Sequence, residues 1–334
     1  MRPTVTDIAR EAGVSVATVD RVLNGRDGVR ARTRDAVLAA ARRLGYLPEA
    51  VLREAETALR LDFVLPIGAD PFWLLLRAEI EAQARARPGL AIGIADVYGR
   101  TSDQLADTLI ARRGRCDAVA VCAPDHPAAR EAIRALAAGG TPVVTMVSDV
   151  LYAPRAAFVG VDNRAAGRLA GYLLARFLGA QRPAEVAMFA GSLSYRAHEE
   201  REMGFRRLLA QEAANLRIVA LREMRDDPER AYAEAGALLD AFPDLAAIYN
   251  IGGGNAGIAR AMKERSRDLV FIAHEIFDDN RRLLLDGALD AAIDQNAPAE
   301  ARAALDALES AARGAPVVAP PVRLNVVFKE NIPD

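Results

Sequence analysis

From Leu61 onward, apolar runs of strand length alternate with helical stretches, in two successive series. The first series holds "LDFVLPIG", "LAIGIADV", "CDAVAVCAP", "TPVVTMVSD" and "AAFVGVDN", with helical segments around Leu74–Ala86, "SDQLADTLIARR" and "PAAREAIRALAAGG" between them. "AAGRLAGYLLARFLGA" leads into the second, which runs through "AEVAMFAGS", "LRIVALREM", "LAAIYNIGG", "DLVFIAHEI" and "LDAAIDQN" with its own intervening helices. Consecutive parallel strands need a crossover, usually a helix, so this alternation predicts parallel sheets. Two series predict an α/β body of two doubly wound lobes. The first lobe is expected over about 61–161 and 297–316 and the second over about 164–294, with a return strand over about 317–330. The chain is expected to cross between lobes near Asp162–Asn163 and again near Gln295–Asn296. Ligands of such sheets bind at the carboxyl ends of the strands, which here means the cleft between lobes.

The chain has 334 residues, long enough for two to three domains. Its start shows no apolar segment with a small-residue cleavage site, and no apolar run approaches the roughly 20 residues of a membrane span. A cytoplasmic protein is therefore expected. The only cysteines, Cys116 and Cys122, have no metal-ligand spacing and read as buried, reduced thiols. No metal or cofactor is expected. The formal net charge is −2, but it is unevenly spread. Residues 1–46 carry nine Arg against five acids, while residues 61–334 carry 32 basic and 37 acidic residues. A basic head on an acidic body fits a DNA-binding module joined to an unrelated larger domain.

The head, residues 1–46, reads as an all-α helix-turn-helix unit. Thr4 and Asp7 form a box-like cap for a first helix, Gly13 ends it, and Ser15 caps a second. Val19, Val22 and Leu23 face inward, as do Val37, Ala40, Ala41 and Leu44 of a third helix from roughly Ala31 to Leu44. The exposed residues at the start of the second helix are Val16, Ala17, Thr18 and Asp20, then Arg21, where such a helix meets base edges in the major groove. Arg21 suits a bidentate pair with guanine, and Val16 and Ala17 suit a thymine methyl. Thr6, Ser15, Thr18, Asn24 and Arg32 are the expected phosphate contacts, which position without specifying.

"TVTDIAREAGVSVATVDRVLNG", followed by "TRDAVLAAARRLGYLP", resembles the lactose-repressor (LacI/GalR) family of bacterial transcription regulators. The resemblance implies a ligand-responsive homodimer, with tetramers also open, on a pseudo-palindromic double-stranded DNA operator. Repression relieved by ligand is the commoner sign for catabolic sugar regulators of that family. Asp20 stands where the family has Ser, and cytosine's amino group is the base-edge donor it could accept from. Arg30 replaces the usual capping Ser or Thr before the third helix. Residues 47–60, "LPEAVLREAETALR", resemble the family's hinge helix, which forms when two copies meet on DNA and wedges a Leu into the minor groove. Here Ala55 holds the wedge position and Glu49 replaces the usual Asn. Either Leu52 or Val51 takes over the wedge, or the segment is a plain linker helix.

The body, 61–334, resembles type I periplasmic sugar-binding proteins, and the resemblance nominates the cleft residues. "ADPFW" is similar to an Asn/Asp-Pro-Phe-aromatic loop whose ring stacks on a sugar face, which implies Asp70, Phe72 and Trp73. Arg201, four residues before Phe205, matches an Arg that binds ligand oxygens, and its planar fork of donors suits paired hydroxyls or a carboxylate. Tyr195, Arg196 and His198 stand just before it. Glu275 stands where an Asp often accepts from sugar hydroxyls, and Gln295 matches a cleft Gln. Strand-end position adds Asn250, Asp125, His126, Ser148 and Asp149. The Gly252–Gly254 triplet lacks the Lys-Ser/Thr of a phosphate loop. The acid-Arg pair that the sugar-binding family carries at "TMVSD" is absent, which argues against a simple pentose. Several acceptors, a few donors and two rings describe a sugar or polyol. A free-standing sugar-binding protein of a transport system is the second reading. An enzyme is not expected: there is no Gly-x-Ser-x-Gly elbow, and the three His are not in a paired motif.

Overall fold

The structure, a computed structural model, describes residues 3–23, 29, 31–46, 58–68, 70–179 and 182–333, and of residues 31, 32, 35 and 42 the backbone only. It divides into two compact units, Met1–Leu59 with Arg87–Ala91, and Arg60–Ala86 with Ile92–Asp334.

The first unit carries α1 (Val5–Ala12), α2 (Val16–Leu23) and α3 (Ala31–Arg43). Thr4 and Asp7 cap each other's backbone: Asp7 N–H donates to Thr4 Oγ1 at 3.3 Å and Thr4 N–H to Asp7 Oδ2 at 2.9 Å. That pairing satisfies two amides the helix itself leaves without partners. Gly13 closes α1 at φ 67°, a left-handed backbone that glycine adopts without a Cβ clash. Ser15 Oγ then accepts from Thr18 N–H at 3.1 Å and starts α2. Ile8, Val19, Val37 and Ala40 meet with no exposed surface, flanked by partly buried Leu44 and Tyr46. Asn24, Leu52, Ala55 and the rest of the hinge over 47–57 lie outside the described residues, as does the Arg32 side chain.

The second unit holds the two sheets, except Leu59 at the start of β1 and Leu90–Ala91 at the start of β2. In the first lobe β1 (Leu59–Leu65), β2 (Leu90–Asp96), β3 (Ala118–Val121), β4 (Val143–Met146) and β5 (Ala157–Val159) lie in the order β2-β1-β3-β4-β5. Strand β1 is parallel to β3, β3 to β4 and β4 to β5. In the second lobe β6 (Ala184–Ala190), β7 (Leu216–Glu223), β8 (Leu245–Asn250), β9 (Val270–His274) and β10 (Ala291–Asp294) repeat the same winding, ordered β7-β6-β8-β9-β10. The crossovers are helical: α4 (Pro71–Arg85), α5 (Ser102–Ile110) and α6 (Pro127–Ala138) in the first lobe, then α7 (Asn163–Leu178) leading into the second. There α8 (Arg196–Glu212), α9 (Pro228–Ala241), α10 (Asn255–Glu264) and α11 (Asp278–Leu285) follow in turn. Strands β3 and β4 are buried along their whole length, as strands covered on both faces must be. After β10 the chain turns at Asn296, φ 63°, and α12 (Ala297–Ala312) packs back on α4, β3 and β4 of the first lobe.

Two local expectations need correction. Helix α4 begins at Pro71, not near Leu74, because Asp70 caps it through Phe72 N–H at 2.8 Å and proline's fixed φ suits the first helical position. The return strand is far shorter than residues 317–330: β11 spans only Asn325–Val327, antiparallel to β10, after an isolated bridge between Val322 and Val161. Pro316, Pro320 and Pro321 have no N–H to donate to a ladder, which breaks the approach to β11.

Helices α7 and α8 cross closely enough that a Cβ on Gly167 would strike the Arg201 carbonyl and one on Gly204 the Arg164 carbonyl. Only glycine lets the two backbones meet there, and this contact brings Asn163 beside Arg201. Among the described residues no helix is long and apolar enough to cross a membrane, and no group of three or more His, Cys, Asp or Glu could hold a metal ion. Cys116 and Cys122 are free and buried.

Candidate functional site

Strand ends of both lobes open into a cleft within the second unit. Its inner chamber is about 60 Å³, and an outer chamber of about 480 Å³ shares Asp70, Trp73, Val147, Ala197, His198 and Asp226 with it as walls. The inner wall brings together Asp70, Phe72, Trp73, Arg201, Glu275 and Gln295, all nominated by the sequence. Phe72 and Trp73 fall in the first turn of α4, ring centroids 5.1 Å apart and edge to face. Phe72 is buried, and Trp73 keeps more of its surface exposed.

Arg201 is 3 % exposed and forms no pair with Glu199 or Glu200, both of which Arg196 takes instead. Arg201 Nε donates to Asn163 Oδ1 at 2.8 Å and Nη1 to the Ile251 carbonyl at 2.9 Å. Two of its three nitrogens are thereby fixed, which orients the guanidinium before any ligand arrives. Glu275 accepts from the Gln295 side-chain amide. Burial, then the neighbouring Asp294, push the Glu275 carboxyl up to about 8, so it carries a proton near neutrality. Burial pushes His274 well below the ordinary imidazole range and lowers His198, and both rings are neutral at pH 7. His198 Nδ1 accepts from Ser192 N–H at 3.2 Å, which leaves the proton of the neutral ring on Nε2.

None of the five strand-end nominations lines the inner chamber; His126 caps α6 by accepting from Ala128 N–H at 3.2 Å, Asp149 pairs with Arg155, and the other three are engaged as follows. Asn250 is fully buried and lines neither chamber: Nδ2 donates to the Gly253 carbonyl and Asn255, while Oδ1 accepts from Gly252 N–H at 3.1 Å. Asn255 bonds Asn280 at 3.1 Å, and Asn280 holds the carbonyls of His274 and Glu275 at 2.9 Å each. The asparagine chain thus shapes the Gly252–Gly253 turn and the backbone of Glu275 without reaching the cleft. Asp125 pairs with Arg130 at 2.8 Å, and its N–H donates to the Ser194 carbonyl across the lobes. Ser148 lines only the outer chamber, where its hydroxyl accepts from Ala197 N–H at 3.2 Å.

Asp226 and Val147 are among the wall residues the sequence reading missed, with Ala197, Ile251 and Phe277. Asp226 and Val147 line the two chambers, and both have left-handed backbones, φ 57° for Asp226 and φ 62° for Val147. Glu275 joins them at φ 70°. Such a backbone is costly for a β-branched residue, and conformations of this kind persist where surrounding packing enforces them, commonly at binding sites. Asp226 follows β7 as Asp70 follows β1, so the strand-end rule applied to "LREMRDD" was the available signal.

On the first unit, Val16, Ala17, Asp20 and Arg21 share the exposed side of α2, Val16 at 47 %. Thr6 is exposed on α1. The Ser15 and Thr18 hydroxyls lie 2.8 Å apart, so each is already engaged in the start of α2.

Residues 4–49 match the family described as bacterial regulatory proteins, lacI family, and residues 61–316 match the periplasmic binding protein domain. An HTH-type transcriptional regulator in the aml 5′ region of Streptomyces limosus is 30 % identical over 321 residues, 92 % of this chain and 87 % of that one. The HTH-type transcriptional regulator MalR of Streptomyces coelicolor is 37 % identical over 174 residues, 51 % of this chain and about half the length of MalR, 49 %. Among solved structures, GanP, a glucose-galactose binding protein from Geobacillus stearothermophilus, superposes with a TM-score of 0.76 at 24 % identity, covering 83 % of this chain and 99 % of its own. At that identity the likeness is one of fold.

Proposed function

This chain belongs to the lacI family of bacterial regulatory proteins, and we propose that it is a DNA-binding transcriptional regulator whose operator affinity is set by a small polyhydroxylated ligand in the cleft. The observation that carries the proposal is the presence, on one chain, of a recognition helix with Arg21 outward and a two-lobed cleft with a pre-oriented buried Arg201. A free-standing sugar-binding protein would use the cleft but leaves the exposed face of α2 without a task. The cleft is read as a binding site and not a catalytic one. The protein acts as a homodimer in the cytoplasm, where its operator is. Ligand closing the lobes changes how two heads are presented to two half-sites, and release from DNA is the sign the family resemblance implies.

The decisive experiment measures operator binding by the full chain with and without ligand. Arg21→Ala is expected to cost about 1–3 kcal/mol on the specific operator and little on random DNA. Equal losses on both would make Arg21 a phosphate contact. A carbohydrate that binds the cleft yet leaves operator affinity unchanged would remove the regulatory half of the proposal.

A further inference from the structure

Two carboxylates from opposite lobes converge on one point of the cleft wall. Asp70 follows β1 in the first lobe and Asp226 follows β7 in the second. Gly253 stands between them: a Cβ there would lie 2.9 Å from Asp70 Oδ2 and 3.4 Å from Asp226 Oδ1. Each acid is anchored through one oxygen by a backbone donor, Asp70 by Phe72 N–H at 2.8 Å and Asp226 by Gly253 N–H at 2.6 Å. Neither forms an ion pair with Arg or Lys among the described residues; the imidazole of His198 lies near Asp226 and feels its charge, but burial outweighs that and lowers the ring's pKa. Arg201, the one arginine in the inner wall, is committed to Asn163 and the Ile251 carbonyl, and burial lowers the two imidazoles there, His198 and His274. Arg100 and Arg225 border the outer chamber, and both are exposed.

A second feature points to the same ligand chemistry. Gln295 lines the inner chamber at 3 % exposure, and its Oε1 has no hydrogen-bond partner. With the carboxylates of Asp70 and Asp226, this carbonyl is an acceptor that a donor-bearing ligand would satisfy. A buried acceptor without a donor costs about 1–3 kcal/mol, so the bound ligand is expected to be rich in donors. A hydroxyl offers one proton and no charge to a pair of acids, whereas an ammonium offers three protons and the counter-charge. A phosphate or carboxylate would be repelled.

We propose that the ligand is an amino-substituted sugar or polyol, its protonated amine held between Asp70 and Asp226 and its hydroxyls turned to Glu275, Gln295 and Arg201. The assignment rests on the cleft being the ligand site, as read above, and narrows the ligand to a cation. Burial and the nearby Asp226 push Asp70 up to about 6. Burial is the larger cause and the charge of Asp226 the second, and an ammonium in the gap would draw Asp70 back toward the usual carboxylate range.

The test is isothermal titration calorimetry of the full chain at pH 7.5 with D-glucosamine, D-galactosamine and D-mannosamine. Each is matched against its parent hexose, its N-acetyl form and its 6-phosphate. At least one amine is expected to bind about tenfold or more tightly than its own parent and its N-acetyl form. That preference should collapse in Asp226→Asn, whose amide oxygen can still accept from Gly253 N–H, and in Asp70→Asn, which keeps a capping oxygen. Parent hexoses binding as tightly as their amines, or 6-phosphates alone binding, would overturn the amine assignment and leave the cleft reading standing. An amine preference that survives both variants would overturn the placement. Heat from none of the probes would count against both readings.

Discussion

Glu300 lies in the first turn of α12 with no exposed surface and no hydrogen-bond partner for either carboxylate oxygen. Burial first, and Glu275 second, hold its proton on well above the ordinary value of 4.5. An acid with a raised folded pKa stabilises the fold fully below its unfolded pKa and loses that contribution as pH rises toward the folded one. Glu275 acts in the same direction up to about 8. Glu300→Gln should therefore match the parent in stability near pH 4.5 and exceed it at pH 8. The gap should widen by about 1.4 kcal/mol per pH unit between the unfolded and folded values. Urea midpoints at pH 5 and pH 8 check this, and equal midpoints at both would mean that Glu300 has found a partner. At Arg201 the expected loss concerns ligand: Arg201→Met should abolish the ligand response, with operator affinity in its absence unchanged. An unaltered ligand affinity in a direct titration would remove Arg201 from the site. Arg201 was nominated because its offset before Phe205 matches the sugar-binding proteins. Asn250 and Asp125 were chosen by strand-end reasoning, and neighbours took them: Asn255 and the Gly252–Gly253 turn for one, Arg130 for the other. A strand-end position says that a side chain lies near the cleft, but not whether another protein group has already engaged it.

Helices and strands were read from periodicity, and what periodicity cannot see is close backbone contact. Gly167 and Gly204 sit in helical stretches that would be better helices with Ala, yet each faces a backbone carbonyl of the opposite helix. Gly167→Ala is expected to push α7 from α8, part Asn163 from Arg201 and weaken ligand binding along with stability. A stable variant with parental ligand affinity would show that the two helices can re-pack. The cap of α1 makes a simpler prediction: Thr4→Ala removes a capping box whose loss costs about 1 kcal/mol. Thermal unfolding of the first unit should show it. Element boundaries erred where capping chemistry outranked hydrophobic pattern, at Asp70–Pro71, and where prolines removed ladder donors before β11.

For the whole molecule, ligand and operator must influence one another equally. If ligand changes operator affinity by some factor, operator must change ligand affinity by that same factor. Calorimetry of ligand into the free protein and into the protein–operator complex tests it, and unequal factors would point to a further binding event. The protected DNA should carry a dyad matching two-fold protein symmetry, with half-sites one helical turn or a multiple apart. A footprint without a dyad would contradict the homodimer.

The sequence alone determined the helix-turn-helix head and the α/β alternation of the body, because caps, turns and hydrophobic period act between residues a few positions apart. Through its resemblance to the sugar-binding proteins it also nominated the cleft's two rings and Arg201. Tertiary structure decided the strand order, the return of α12 to the first lobe, and the meeting of Asp70 with Asp226 across Gly253. Those contacts join residues far apart in the chain, and they depend on how two sheets and their crossovers pack. Which polar groups remain available to a ligand is settled only when all the others have found their protein partners.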